Sequence, residues 1–258
     1  MPNSSTIHTL ADFAGMRKAG HLAAETLDMI AEFVKPGVTT EVLDKKCFEF
    51  IDKNNACIGP LYYKGFPKSV CTSINHVICH GIPSSRILEE GDVVNIDVTV
   101  IVDGWHGDTS RMYRVGKINN KAQKLIDCTY EAMMLGINEV GPSKKTGDIG
   151  HAIQTYAEEK SYSVVRDFCG HGLGRVFHSF PNILHYGEAN TGEAILEGMF
   201  FTVEPMINTG RYDVRHLKDG WTAVTKDKSL SAQFEHSIGV TEKGFEIFTK
   251  SPAGLDKP

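Results

Sequence analysis

Asp97 and Asp108 are carboxylates set in strand sequence that should exclude them. Asp97 interrupts Val93-Val94-Asn95-Ile96-Asp97-Val98-Thr99-Val100-Ile101-Val102, a run that is otherwise mostly β-branched and apolar. Aspartate is disfavoured in strands, and its charge is costly to bury unless something neutralises it. Asp103-Gly104 is a two-residue hairpin signal, and the chain returns through residues 105–115 carrying Asp108. Such a turn sets Val102 opposite Trp105, and therefore Thr99 opposite Asp108. Side chains alternate along a strand, so Asp97, Thr99 and Asp108 share one face. Two carboxylates on one sheet face repel unless a cation holds them. An odd-numbered loop without a bulge would break this parity.

Three further segments raise the same question: the loop Gly170-His171-Gly172-Leu173-Gly174, Glu204-Pro205 and Gln233-Phe234-Glu235-His236. Glu204 closes the apolar run Met199-Phe200-Phe201-Thr202-Val203, and Glu235 precedes Ile238-Gly239-Val240. For one acid alone, a solvent-facing strand end is the plainer explanation. For all of them together, a shared metal centre is. Four carboxylates and one imidazole suit two divalent ions, and so oxygen-rich a donor set favours Mn, Fe or Co. A water between ions roughly 3.5–4 Å apart becomes a nucleophile near neutral pH, and the same centre stabilises a tetrahedral oxyanion.

The elements that must position these groups come in two similar sets. The first half opens with helical patterning over residues 10–34 and 40–53, with Thr39 or Thr40 as N-cap and Pro36-Gly37 between them, then a Gly/Pro-punctuated stretch and the hairpin. The second half repeats the order, with helices over 120–140 and 146–160 separated by Gly141-Pro142, then strands over 199–207, 221–225, 232–240 and 244–249. Residues 88–97 align with 195–204, which places Asp97 on Glu204. The expected fold is α+β: an antiparallel sheet flanked by helices, duplicated about a pseudo-two-fold. One domain spans residues 1–258, with halves of about 1–117 and 118–258 and no linker composition between them.

Composition excludes several classes. The 41% apolar and 23% charged fractions are those of a soluble globular chain, and a net charge of −5 gives no support for nucleic-acid binding. No apolar run approaches the roughly 20 residues a membrane helix needs. The first thirty residues carry charges that break any signal or transit peptide. The six cysteines form no CxxC pair, which fits free thiols in a reducing cytoplasm.

Asp97, Asp108 after ten intervening residues, His171, Glu204 and Glu235 together resemble the dinuclear site of the methionine aminopeptidases. The resemblance extends through residues 67–75, Cys79-His80-Gly81-Ile82-Pro83 and 170–174 with His178, and so covers essentially the whole chain. It implies the pita-bread fold, with Asp97 bidentate on one metal, Asp108 and Glu235 bridging, and His171 and Glu204 on the other metal. It also implies that Glu204 relays a proton, that His80 and His178 contact the substrate, and that Tyr63, Cys71, Phe177 and Trp221 line a methionine pocket. The cofactors implied are two divalent ions, Co, Mn or Fe, with Zn and Ni also compatible. The segment 59–66 is slightly longer than a common family version, and Phe66 stands where tyrosine is frequent. Only 30 residues separate Glu204 from Glu235, as in the type 1, bacterial-style enzymes. The implied activity removes the initiator methionine from nascent chains whose second residue is small, and the chain's own Met1-Pro2 start has that form. The expected partners are nascent N-termini, with a transient visit to the ribosome, no nucleic acid, no membrane, and a monomeric state. Proline-specific peptidases of the same fold, and a metal-free binding module on it, are the alternatives.

Overall fold

The computed structural model describes residues 6–257, so the Met1-Pro2 start lies outside it. Four long helices are present: α1 (Leu10–Ile30), α2 (Thr40–Lys53), α3 (Asn120–Asn138) and α4 (Thr146–Glu159). Each begins where the sequence supplies an acceptor for orphan backbone N–H groups. The Thr39 hydroxyl accepts from Val42 N–H, Asn119 Oδ1 from Ala122 N–H, and Asp12 and Asp148 accept from the backbone of Thr9 and Lys145. Helix α1 stops at Ile30 and tightens into a 3₁₀ turn, Ala31–Phe33, ahead of Pro36.

The hairpin forms with the parity read from its turn. Strands Val93–Val102 and Trp105–Arg114 pair antiparallel, with Val102 opposite Trp105 and Thr99 opposite Asp108. Alternation then sorts the first strand: Val94, Ile96, Val98 and Val100 pack in one apolar cluster with Leu27, Ile30, Leu43 and Ile51 of α1 and α2. Asn95, Asp97 and Thr99 point the other way. In the second half, Phe201, Val203 and Ile238 pack with Leu125, Met133, Ile149 and Ile153 of α3 and α4.

The duplication reaches individual hydrogen bonds. Gly91 and Gly198, aligned in the repeat, both take positive φ, +93° and +82°. Gly91 N–H donates to Val115 O while Val115 N–H donates to Asp92 O; Gly198 and Val240 repeat this, with Val240 N–H donating to Met199 O. Each turn launches a strand that ends at, or carries, its acid.

Two strands expected as continuous are broken. Residues 199–207 divide into Phe200–Val203 and Met206–Asn208, and residues 232–240 into Ser231–Gln233 and His236–Thr241. Pro205 has no N–H to give a ladder, and Glu204 N–H donates instead to His185 Nε2 at 3.0 Å. Glu235 N–H donates across to Ser110 O of the hairpin at 3.0 Å. The interruptions fall on the two glutamates and turn each out of its sheet. The halves meet at this seam, where Asn95 Nδ2 also donates to Gln233 O and the Thr109 hydroxyl to Glu235 O.

Candidate active site

A cavity of about 350 Å³ opens between the halves, and every residue singled out from sequence lines it. Its floor holds Asp97, Asp108, His171, Glu204 and Glu235; its walls include Tyr63, Phe66, Cys71, His80, Phe168, Phe177, His178, Met206 and Trp221. Donor atoms of Asp108, His171 and Glu235 lie within 4.8 Å of one another. Asp97 and Glu204 flank that trio rather than joining it at this spacing. His171 Nε2 sits 3.6 Å from Asp108 Oδ2 and 3.5 Å from Glu204 Oε1.

The electrostatics of the floor demand a cation. Burial lifts the Asp97 carboxyl to about 7. Burial, reinforced by neighbouring acids, lifts Asp108, Glu204 and Glu235 well above the ordinary range. Among the described residues no lysine or arginine nitrogen lies within 4.0 Å of any of the four. Burial holds His171 neutral, down to about 4. Its Nδ1 faces Gly172 O at 3.2 Å, and a carbonyl only accepts, so Nδ1 carries the proton. The Nε2 lone pair therefore faces two carboxylates at distances too long for hydrogen bonds. This donor set fits divalent metal, with a second partner already fixing the histidine tautomer. Asp97, Asp108, His171, Glu204 and Glu235 are the residues that could hold it.

Neighbouring polar side chains brace the acids, among them Thr99, which strand parity already places opposite Asp108. Thr99 Oγ1 donates to Asp108 Oδ1 and Thr202 Oγ1 to Glu204 Oε1, both at 2.7 Å. Gln233 Nε2 donates to Glu204 Oε2 at 3.3 Å. Thr99, Thr202 and Gln233 each stand two residues from an acid, the spacing that shares a strand face, so period-two alternation alone could have found Thr202 and Gln233 as well. His185 had no such signal.

The wall is aromatic. The Phe66 and Trp221 rings meet edge to face at 5.2 Å, and Tyr63 meets Phe177 at 4.8 Å. Phe66 is buried, and Pro60, Tyr63, Lys64 and Phe66 of the segment 59–66 all line the cavity. Cys71 pairs in register with Asp97, which ties the apolar wall to the floor. The Tyr63 hydroxyl and His178 Nδ1 are hydrogen-bonded at 2.8 Å. Burial keeps His80 below its ordinary pKa and His178 down to about 3, so both offer neutral imidazoles. His106 and His236 do not line the cavity: the first stacks behind Phe177 with its Nδ1 donating to Gly174 O, and the second bonds Thr249. His76 lines a separate hollow.

A cage of acids and one neutral imidazole, closed from two duplicated halves beside an apolar pocket, defines the class: a metal-dependent hydrolase. A family-wide profile described as metallopeptidase family M24 matches residues 14–242. The chain is 64% identical over 253 residues to a methionine aminopeptidase of Rickettsia prowazekii, covering 98% of each. The crystal structure of a methionine aminopeptidase from that organism superposes with a TM-score of 0.95 at 64% identity, over 95% of this chain and 100% of that one. One from Thermotoga maritima gives 0.93 at 35% identity, over 95% and 99%. The chain belongs to metallopeptidase family M24 and, within it, to the methionine aminopeptidases, and its fold is the pita bread.

Proposed function

We propose that the chain removes the initiator methionine from peptides and nascent proteins whose second residue is small. The observation that carries this reading is the contiguity of the acid floor with the aromatic pocket. With one methionine side chain in the pocket, the scissile carbonyl would lie beside the residues that would hold the metals. Asp97 would ligate one ion, His171 and Glu204 the other, and Asp108 and Glu235 would bridge them. When bound, the ions supply an activated water and polarise the carbonyl. Glu204 takes up the proton released on attack and delivers it to the departing amine. His80 and His178 hold the substrate amide and the developing oxyanion. Tyr63, Cys71, Phe66, Phe177 and Trp221 enclose the thioether, and Tyr63 also orients His178. The donor set suits two ions of Mn, Fe or Co, with Zn and Ni compatible. One catalytic domain of residues 1–258, working as a cytoplasmic monomer on chains leaving the ribosome, completes the proposal. No described helix is long and apolar enough to cross a membrane.

The test pairs metal analysis of anaerobically purified protein with peptide hydrolysis. Methionine should leave Met-Ala-Ser, while Met-Leu peptides and Xaa-Pro peptides should resist. Cleavage of Met-Leu as fast as Met-Ala would sink the specificity, and Xaa-Pro cleavage would favour a proline peptidase. Asp97→Ala should lower kcat/KM by more than the about 100-fold typical of losing an outer-shell partner; undiminished hydrolysis would remove Asp97 from the site.

A further inference from the structure

Lys64 stands at the cavity mouth and has no part in the chemistry above. It is exposed, and it is the only lysine or arginine among the residues lining the cavity. Its backbone lies in the left-handed region, φ +47° and ψ +27°, as does that of Tyr62 at φ +65°. Neither is glycine, so the turn holds a conformation that side chains rarely adopt. It is maintained by backbone hydrogen bonds from Tyr62 N–H to Phe66 O, Tyr63 N–H to Pro60 O and Gly65 N–H to Tyr62 O, at 2.8, 3.0 and 3.1 Å. Outliers over-determined in this way cluster at functional sites. The Lys64 ammonium lies 5.2 Å from the centre of the Tyr63 ring, whose hydroxyl reaches His178. Among the described residues no carboxylate lies within 4.0 Å of it.

We propose that Lys64 is a specificity-determining residue that favours acidic side chains in the substrate just beyond the residue following methionine. This rests on the reading under Proposed function. With methionine in the aromatic pocket and the scissile bond over the floor, the rest of the peptide must leave through the mouth. Lys64 is the one lysine or arginine the departing chain would meet along the cavity lining. The turn fixes the backbone from which that charge projects, and the ammonium lies over the Tyr63 ring, 5.2 Å from its centre.

The experiment uses the metal-loaded enzyme and C-terminally amidated peptides Met-Ala-Ser-X and Met-Ala-X-Ser, with X as Glu, Gln or Lys. Amidation removes the terminal carboxylate as a competing anion. For at least one of the two positions, kcat/KM for Glu should exceed that for Lys by about two- to fivefold, the scale of an exposed ion pair. The ratio should fall to about one in Lys64→Gln, invert in Lys64→Glu and survive in Lys64→Arg. It should also collapse near 1 M salt, where the screening length is about 3 Å. A ratio unchanged in Lys64→Gln and Lys64→Glu overturns the proposal, as does equal cleavage of all peptides by the parent. Absence of methionine release from every peptide overturns the underlying activity as well, which separates the two failures.

Discussion

Thr202 shows how much of the site is held by residues that touch no substrate. Its hydroxyl donates to Glu204 Oε1 at 2.7 Å and accepts from His171 N–H at 3.0 Å. One oxygen thus aligns two candidate ligands, one on the strand Gly170–Gly172 and one just past the strand Phe200–Val203. Thr202→Val keeps the shape but leaves the His171 N–H and one carboxylate lone pair without their partner. Outer-shell losses of this kind typically cost 10–100-fold in metal affinity, and that is the expected fall in Mn²⁺ affinity by calorimetric titration. Affinity equal to the parent's would mean that the hydroxyl does not orient the ligands. Thr99→Val, which removes the 2.7 Å bond to Asp108 Oδ1, should act in the same direction. Both threonines were within reach of strand parity. The second role of Thr202, toward His171, was not, because it joins strands whose pairing no local pattern specifies.

At the scale of elements, the hairpin and α1 must approach closely for Asp108 to face the cavity. A Cβ on Gly107 would lie 2.3 Å from the Ala19 carbonyl carbon and oxygen and 2.6 Å from Gly20 N. These are backbone atoms, so only a shift of α1 could relieve the clash. Gly107→Ala should cost about 1–3 kcal/mol, the usual range for overpacking. It should appear as a lowered denaturant midpoint with an unchanged m-value. A midpoint equal to the parent's would show that α1 is free to move. The elements themselves were largely readable: α2 runs over the residues its Thr39 cap predicts, and Asp103-Gly104 fixed the register of all ten hairpin pairs. What failed was continuity at Glu204-Pro205 and Phe234-Glu235. There apolar composition favours a strand, while the backbone N–H groups find tertiary partners in His185 and Ser110. Propensity describes a residue's neighbours in sequence, and those partners lie 19 and 125 positions away.

Across the whole molecule, two halves with separate apolar clusters meet at a seam that concentrates buried acid. Without metal that seam carries a pH-dependent penalty whose sign can be worked out. Burial raises the Asp97 carboxyl from an ordinary 3.8 to about 7, so the folded state binds this proton more tightly than the unfolded chain does. Stability referable to Asp97 is therefore greatest below about pH 4 and is lost as pH rises toward 7. The neutral histidines His185, which is buried, and His178, at the cavity, are both lowered to about 3 and oppose this, since their contribution is lost as pH falls below 6.5. Comparison with Asp97→Asn cancels them, because both proteins share them. In EDTA, the Tm of the parent minus that of Asp97→Asn should decline between pH 4 and 7. Saturating Mn²⁺ should abolish the decline in the parent and, at about 100 times its Kd, add about 2.7 kcal/mol. A Tm difference that stays flat across this window in EDTA would mean that folding does not raise the Asp97 carboxyl above its ordinary range.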